Sequence, residues 1–558
     1  MITDYGYDPG GFENNPQTID GEKFLLKLDY NINDKHKLTA RHSYVKGTTE
    51  IHPTPSASSV IFGNVGYIFP STTNSTAIEL KSLFGPNVSN SLIVGRTTVR
   101  DDRDLLGDPF PQIIMPDGNG RVTVGTDNFS YSNIVNQDVF TITNNFNLFK
   151  GKHNFTFGTH NEFFKIENLF TIFSTPRYEY FFDGVNRFLA GENPDLLLFG
   201  HEQAFGGDQI RPDELEYIAP SRTETTEKAL FGELNVELTE QLNITLGARF
   251  YKYKSSYAAD SDLPLYNTLY EGAGPTDIDL ALEDVKVDDN GNLFKLNVSY
   301  QYTSDVLSYF TISEGFRLGG SNGTPACPEN IDDIERQIIC ALPYEFAYTP
   351  DTTTNYEVGF KSSWLKNKFH FNAALYYVEW DDAQVSSSTE NGQSPITINA
   401  AKAESKGLEV STRAAIHDNI MAYATYAYTK AKLSEDAILL DALAGDRLPG
   451  TAEHQLSFGL NYNTELYDDY LLDVNYGLTY QSDVYTSVGL SDSGEKLPSY
   501  ALSNLSAKIT KDEWTAILYI DNLFDKYAYT SVRQNKSIIT DATNGYEVTE
   551  EAEQADVI

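Results

Sequence analysis

Nine histidines are spread over the 558 residues. They are scattered, with no His-Glu-x-x-His spacing and no close ligand cluster, so the pattern a zinc hydrolase needs is absent. His160 and Glu162 stand two apart, which places both on one side of an extended strand, near an outer rim where either a ligand or water would meet them. Asp288-Asp289-Asn290-Gly291-Asn292 has the composition of a calcium loop but lacks the spaced acidic ligand that closes one, and reads as a turn. Tyr376, Val378 and Trp380 share one face and could stack on a sugar or aromatic ligand, or pack beneath loops. Arg249 and Arg413 project from the faces that carry Glu233 and Glu409, and wall salt bridges account for them. No Ser/His/Asp arrangement stands out. Neither a metal site nor a cofactor is expected.

The two cysteines, Cys327 and Cys340, lie close together in a polar stretch. A local disulfide formed in an oxidising compartment fits them better than a metal site. The formal net charge of −38 argues against nucleic acid, whose phosphates attract the opposite sign. Acidic loops that keep a large, aromatic-rich protein soluble at its wet ends explain the charge. No window holds the roughly 18 consecutive apolar residues of a membrane-spanning helix. A spanning strand needs only about 10 residues with every second one apolar, so this absence does not bear on strands. Nothing after Met1 resembles a signal peptide, and an exported protein would need a longer precursor.

The elements that would position these side chains are strands. Leu505, Ala507 and Ile509 alternate with Ser506, Lys508 and Thr510; after a polar turn, Ala516, Leu518 and Ile520 return on a matching apolar face. The same unit recurs from Leu26-Leu28-Tyr30-Ile32 to Leu472-Val474-Tyr476-Leu478-Tyr480. It amounts to about nine hairpins, or about eighteen strands, of membrane-spanning length. Turns of a few residues alternate with loops of a dozen or more, as in outer-membrane barrels, whereas a soluble sandwich has no reason for that asymmetry. Tyr377, Tyr462, Tyr476 and Tyr480 fall where an interfacial aromatic girdle would sit. The fold class is all-β, a transmembrane antiparallel β-barrel in contact with outer-membrane lipid.

Several stretches narrow this further. Asp521-Asn522-Leu523-Phe524-Asp525-Lys526-Tyr527 follows a Trp-led strand. Ser313-Glu314-Gly315-Phe316-Arg317-Leu318-Gly319-Gly320 is followed by Pro350-Asp351-Thr352-Thr353-Thr354-Asn355-Tyr356-Glu357. Together with Ala403-Glu404-Ser405-Lys406-Gly407-Leu408-Glu409 and Leu448-Pro449-Gly450-Thr451-Ala452, they resemble TonB-dependent outer-membrane receptors, with Asn522, Leu523, Phe524 and Asp525 as the signature. The first part, carrying Tyr5-Gly6-Tyr7-Asp8-Pro9-Gly10-Gly11 and His153-Asn154-Phe155-Thr156-Phe157-Gly158, resembles the Oar-like branch. The resemblance divides the chain into an Oar-like part (1–225), a general receptor barrel (226–531) and a polar acidic tail (532–558) in which no closing strand is recognised. Family barrels have about 22 strands, so about 18 are expected here, with the plug domain absent from this chain.

The resemblance implies a receptor in the outer membrane of a Gram-negative bacterium, not an enzyme. It would take up a scarce ligand (siderophore, vitamin, oligosaccharide or peptide) with energy from the TonB complex acting through a plug. His160, Arg249, Tyr376, Trp380 and Arg413 are the expected ligand contacts. A plugless porin or surface adhesion barrel is one alternative, and an outer-membrane hydrolase is a second.

Overall fold

The computed structural model describes residues 6–557, except 14, 16–17, 54–55, 57, 130–131, 173–176, 193–195, 199–210, 212–214, 281, 283, 325–326, 328–340, 390–394, 400, 438–441, 489–494 and 542–544. From residue 531 onward, and at a few strand residues before it, the description is of backbone alone.

Eighteen strands follow one another around a single antiparallel sheet. They are β1 (Ile19–Asn33), β2 (His36–Ile51), β3 (Tyr67–Gly85), β4 (Val88–Asp102), β5 (Ile134–Lys150), β6 (His153–Ile172), β7 (Tyr217–Glu237), β8 (Leu242–Ala259) and β9 (Val285–Thr303). They continue as β10 (Val306–Arg317), β11 (Asp351–Trp364), β12 (Phe369–Asp381), β13 (Ala403–His417), β14 (Ile420–Leu433), β15 (His454–Glu465), β16 (Leu471–Gln481), β17 (Tyr500–Lys511) and β18 (Trp514–Ile520). Each pairs with its predecessor and successor in the chain, and a two-residue strand, Asp104–Leu105, adds to β3 as the nineteenth member. β1 pairs only with β2, and β18 only with β17, among the described residues. Lacking a second neighbour, both are exposed along their whole length.

Every odd-to-even connection is a turn of two to five residues, from 34–35 to 466–470, whereas the others run from 52–66 to 173–216. Local chemistry sets the turns. Asn33 Oδ1 accepts the backbone N–H groups of Lys35 and His36 at 2.9 and 3.0 Å, closing the first turn. Residues 365–367 take three successive positive φ values (55°, 58° and 67°), which reverse the chain between β11 and β12.

Direct cross-strand partners share a face, so the register sorts the side chains. One face carries Leu230, Phe250 and Leu375, exposed at 57%, 53% and 59%. A continuous apolar surface of that extent needs lipid to cover it. The other face carries Glu227, Glu233, Lys295, Glu357 and Glu409 and is the inner one of a barrel. Tyrosines on the inner face lie over glycines of the neighbouring strand. A Cβ on Gly359, Gly407 or Gly459 would meet the ring of Tyr309, Tyr376 or Tyr423 at 2.1, 2.7 or 1.9 Å. The absent side chain is what lets each ring lie flat along the wall.

The structure departs from the sequence reading in three places. Asp288-Asp289-Asn290-Gly291-Asn292 is not a turn: it lies within β9, with Asp289 opposite Tyr253 and Gly291 opposite Tyr251. The signature Asn522-Leu523-Phe524-Asp525 is not itself strand. Asn522 and Asp525 both have φ of 49°, and the Asn522 amide spans the turn by accepting from Lys526 N–H and donating to Lys526 O, both at 2.9 Å. In the expected tail, Tyr529–Asp541 and Gly545–Val557 pair as a hairpin apart from the main sheet. The main sheet itself runs unbroken across residue 225, which lies inside β7.

The long connections of the first half also fold together. Strands 196–198, 177–179, 112–117, 120–124 and 59–61 form a second, five-stranded sheet, parallel where 177–179 meets 112–117 and where 59–61 meets 120–124. Ile113, Met115, Val124 and Tyr180 form its core beside the short helix α1 (Gly184–Leu189). The start of the chain docks here: Tyr7 stacks on Phe110 with ring centroids 4.1 Å apart, and Asn64 Nδ2 donates to the Asp8 carbonyl at 2.8 Å. Burial, with Asp8 and Asp108 adding to it, pushes the Tyr7 hydroxyl up to about 12.

Candidate ligand-facing wall and outer rim

Two of the predicted contacts, His160 on β6 and Arg249 on β8, lie near each other across β7, with Glu162 beside the first. His160 Nδ1 lies 2.8 Å from Thr143 Oγ1, and its Nε2 lies 3.9 Å from Glu162. Glu162 stands directly opposite Glu227, two carboxylates facing each other across the ladder. Arg249 forms its ion pair with Glu227, not with the expected Glu233. Lys295, which faces Glu233 across the bare backbone of Gly247, holds that carboxylate at 3.0 Å, and Arg249 pairs on the same inner face with Glu227, further from the short turn. The pair neutralises one of the two opposed carboxylates.

Tyr376, Trp380 and Arg413 lie elsewhere on the wall, on β12 and β13. The Tyr376 hydroxyl is 2.8 Å from Thr429 Oγ1 while its ring covers Gly407. Below it, a cavity of about 500 Å³ is lined by Tyr309, Lys361, Asn372, Glu409, Ser411 and Gln455. Tyr309 donates to Glu357 at 2.5 Å and receives the Lys361 ammonium over its ring at 5.4 Å. Glu409 faces this cavity rather than pairing with Arg413. Arg413, exposed near the short-turn end, has no ion pair within 4 Å among the described residues.

Trp380 is already engaged. Its indole N–H donates to Asp351 Oδ2 at 2.9 Å, and the Arg317 guanidinium covers one ring face at 5.0 Å. Asp351 also accepts from Arg317 Nε at 2.9 Å and from the Gln384 backbone N–H at 3.2 Å, and it is 1% exposed. Sequence reasoning quoted both stretches but assigned Arg317 and Asp351 no role. The available signal was their position, one closing a strand and the other opening the next.

Beside this latch the wall splits. β9 and β10 pair only as far as Lys295 and Ser313, beyond which β9 follows β8 and β10 follows β11. Tyr251 stacks on Phe316 at 3.8 Å, and the fully buried Tyr253 accepts the Gly319 N–H at 3.0 Å. These contacts fill the gap between β8 and the end of β10. Phe294 N–H, left unpaired where the ladder ends, donates to the Glu314 carboxylate at 2.8 Å.

Cys340 lies outside the described residues. Cys327 is described, and its N–H donates to the carbonyl of Ala341, the residue after Cys340, at 3.0 Å.

The comparisons agree with this geometry. The family model for the TonB-dependent receptor-like β-barrel matches residues 2–523. A TonB-dependent receptor of Haemophilus influenzae is 26% identical over 263 residues, covering 47% of this chain and 64% of that protein. The ferric-pyoverdine 358 receptor of Pseudomonas putida is 23% identical over 340 residues, covering 59% of this chain and 35% of that protein. The chain therefore spans less than two-thirds of either relative. Among solved structures, the ferric yersiniabactin uptake receptor of Yersinia pestis aligns over 96% of this chain and 69% of its own, with a TM-score of 0.63 at 16% identity. The ferric-catecholate import receptor of E. coli K12 aligns over 97% and 74%, with a TM-score of 0.57 at 15% identity. At such identities the structural likeness speaks for the fold alone. With the family model covering nearly all of the meander, the chain belongs to the TonB-dependent receptors as a β-barrel of the Gram-negative outer membrane.

Proposed function

We propose that this chain is the barrel of a receptor that takes up a scarce ligand across the outer membrane with energy from the TonB complex. The observation that carries this reading is the wall itself. Its inner face is polar from Glu227 to Glu409, with ion pairs at Glu227 and Glu233, and a folded rim of long connections stands at one end only. Such a wall can hold a hydrated solute, and the rim offers it a selective entrance. Of the ligand classes the sequence leaves open, a ferric siderophore has the most support, because the named relatives and neighbours include receptors for ferric pyoverdine, yersiniabactin and catecholates. The contacts are His160, Tyr376, Arg249 and Arg413 on the wall, with Trp380 serving to position the rim. The TonB complex acts through a plug seated in the lumen, and the protein moves its ligand without chemical change. Descent of residues 1–225 from an Oar-like branch belongs to the same reading.

The test is transport. In the source bacterium, deletion of the gene is expected to abolish uptake of one labelled ferric siderophore under iron limitation, and loss of TonB is expected to do the same. Uptake that depends on this gene but not on TonB would replace the receptor with the porin reading.

A further inference from the structure

The lipid-facing side of β4, β5 and β6 carries a polar island in the middle of its apolar band. Outward residues of β5 run Phe140, Ile142, Asn144, Phe146, Leu148. Asn144 is the centre of that run, about 13 Å along the strand from either end. On β4 the outward run is Val88, Asn90, Leu92, Val94. Asn144 stands opposite Leu92 on one side and opposite Thr159 of β6 on the other. Aromatic pairs bound the island along the strands. Phe140 and Phe163 are cross-strand partners with ring centroids 6.0 Å apart, and Phe146 stacks on its partner Phe157 at 4.8 Å. Charge begins only beyond the band, where Asp138 holds Arg100 at 2.8 Å and Arg96 at 3.6 Å.

The two amides satisfy each other only in part. Asn90 spends both Nδ2 hydrogens, one on Asn144 Oδ1 and one on the Asn145 carbonyl at 3.1 Å. Asn90 Oδ1, the Nδ2 hydrogens of Asn144 and the Thr159 hydroxyl have no hydrogen-bond partner among the described residues. Acyl chains offer none, and headgroups lie too far out to reach the centre of the band. Side by side, then, stand an unspent acceptor and unspent donors. That set is self-complementary. Two copies placed face to face about a two-fold axis along the membrane normal bring each Asn90 Oδ1 to the partner's Asn144 Nδ2, the reciprocal pairing an isologous contact requires. Amide side chains hold neighbouring segments together in membranes in the same way.

We propose that this face of β4–β6 is a contact surface between two copies of the chain within the outer membrane, closed by reciprocal Asn90–Asn144 hydrogen bonds. The surface faces away from the lumen and does not depend on the uptake reading.

Leu92→Cys places a thiol beside the island and leaves both amides in place. Mild oxidation of outer membranes that carry this variant is expected to give a product of twice the mass. Leu375→Cys, equally lipid-facing but on β12, is expected to give none. In detergent, Asn90→Leu with Asn144→Leu is expected to weaken the dimer about tenfold, read by sedimentation. Both new side chains suit the apolar band, and heat-modified gel migration checks that the variant is folded. A dimer equally strong in the folded leucine variant would overturn the proposal. So would the absence of a doubled product from Leu92→Cys, its cross-linking to a different protein instead, or equal cross-linking through Leu375→Cys.

Discussion

Arg317 and Asp351, the last residue of β10 and the first of β11, lock together across the ladder with Nε 2.9 Å from Oδ2. The same carboxylate holds the Trp380 indole and the Gln384 backbone, so one buried charge joins two strands, their neighbour β12 and the chain beyond it. Removing it strands the Trp380 indole and Gln384 backbone donors and leaves Arg317 only the Gln384 carbonyl at 3.0 Å. Asp351→Ala is therefore expected to cost about 2–3 kcal/mol and Trp380→Phe about 1 kcal/mol, with Arg317 half-exposed and partly rescued by water. Denaturant unfolding of the detergent-folded barrel, followed by circular dichroism, measures both. Equal, small losses would mean that the latch is ornamental.

Gly459 and Gly477 face each other across β15 and β16. They differ in what lies above them: the Tyr423 ring would be 1.9 Å from a Cβ on Gly459, and nothing lies within 4 Å of one on Gly477. Gly459→Ala should cost about 2 kcal/mol through displacement of the ring, and Gly477→Ala should stay within about 0.5 kcal/mol of the parent. Adding Tyr423→Ala to Gly459→Ala should leave less damage than the sum of the two changes, which a double-mutant cycle reads directly.

Glu216, just before β7 at the rim, has its carboxyl pushed up to about 8 by burial, and its Oε2 has no hydrogen-bond partner among the described residues. The folded state therefore holds a proton that the unfolded chain releases near 4.5. Stability from this group is intact below 4.5 and falls as the pH rises through about 8. Glu216→Gln should remove that decline, making the variant more stable than the parent by about 1–2 kcal/mol at the alkaline end. Unfolding midpoints measured across this pH range test it, and parallel curves for the two proteins would refute it.

Cys327 and Cys340 are expected to be joined. Maleimide labelling of the unreduced, denatured protein should leave both unmodified, and reduction should expose two thiols. Reaction of both before reduction would sink the pairing. Opening the bond should loosen the long β10–β11 connection without disturbing the wall, so proteolysis there should speed up while barrel migration on a gel is unchanged.

The sequence by itself determined the wall. Period-two alternation and the contrast of short with long connections led to about eighteen strands, and eighteen form it. Side-chain parity depends only on neighbours along the chain, so the inner placement of Tyr376, Arg249 and Glu409 was legible without tertiary information. Where a strand rises beyond lipid, both faces are wet and the alternation vanishes; for that reason the outer part of β9, from Asp288 to Asn292, read as a turn. Partner choice was equally hidden. Glu233 and Glu227 look alike in sequence, and only register put Lys295 across a glycine from the first and left Arg249 to the second. The second sheet unites segments as short as three residues from three separate connections. No such segment carries a period of its own, so their pairing exists only once the wall has brought the connections to one end.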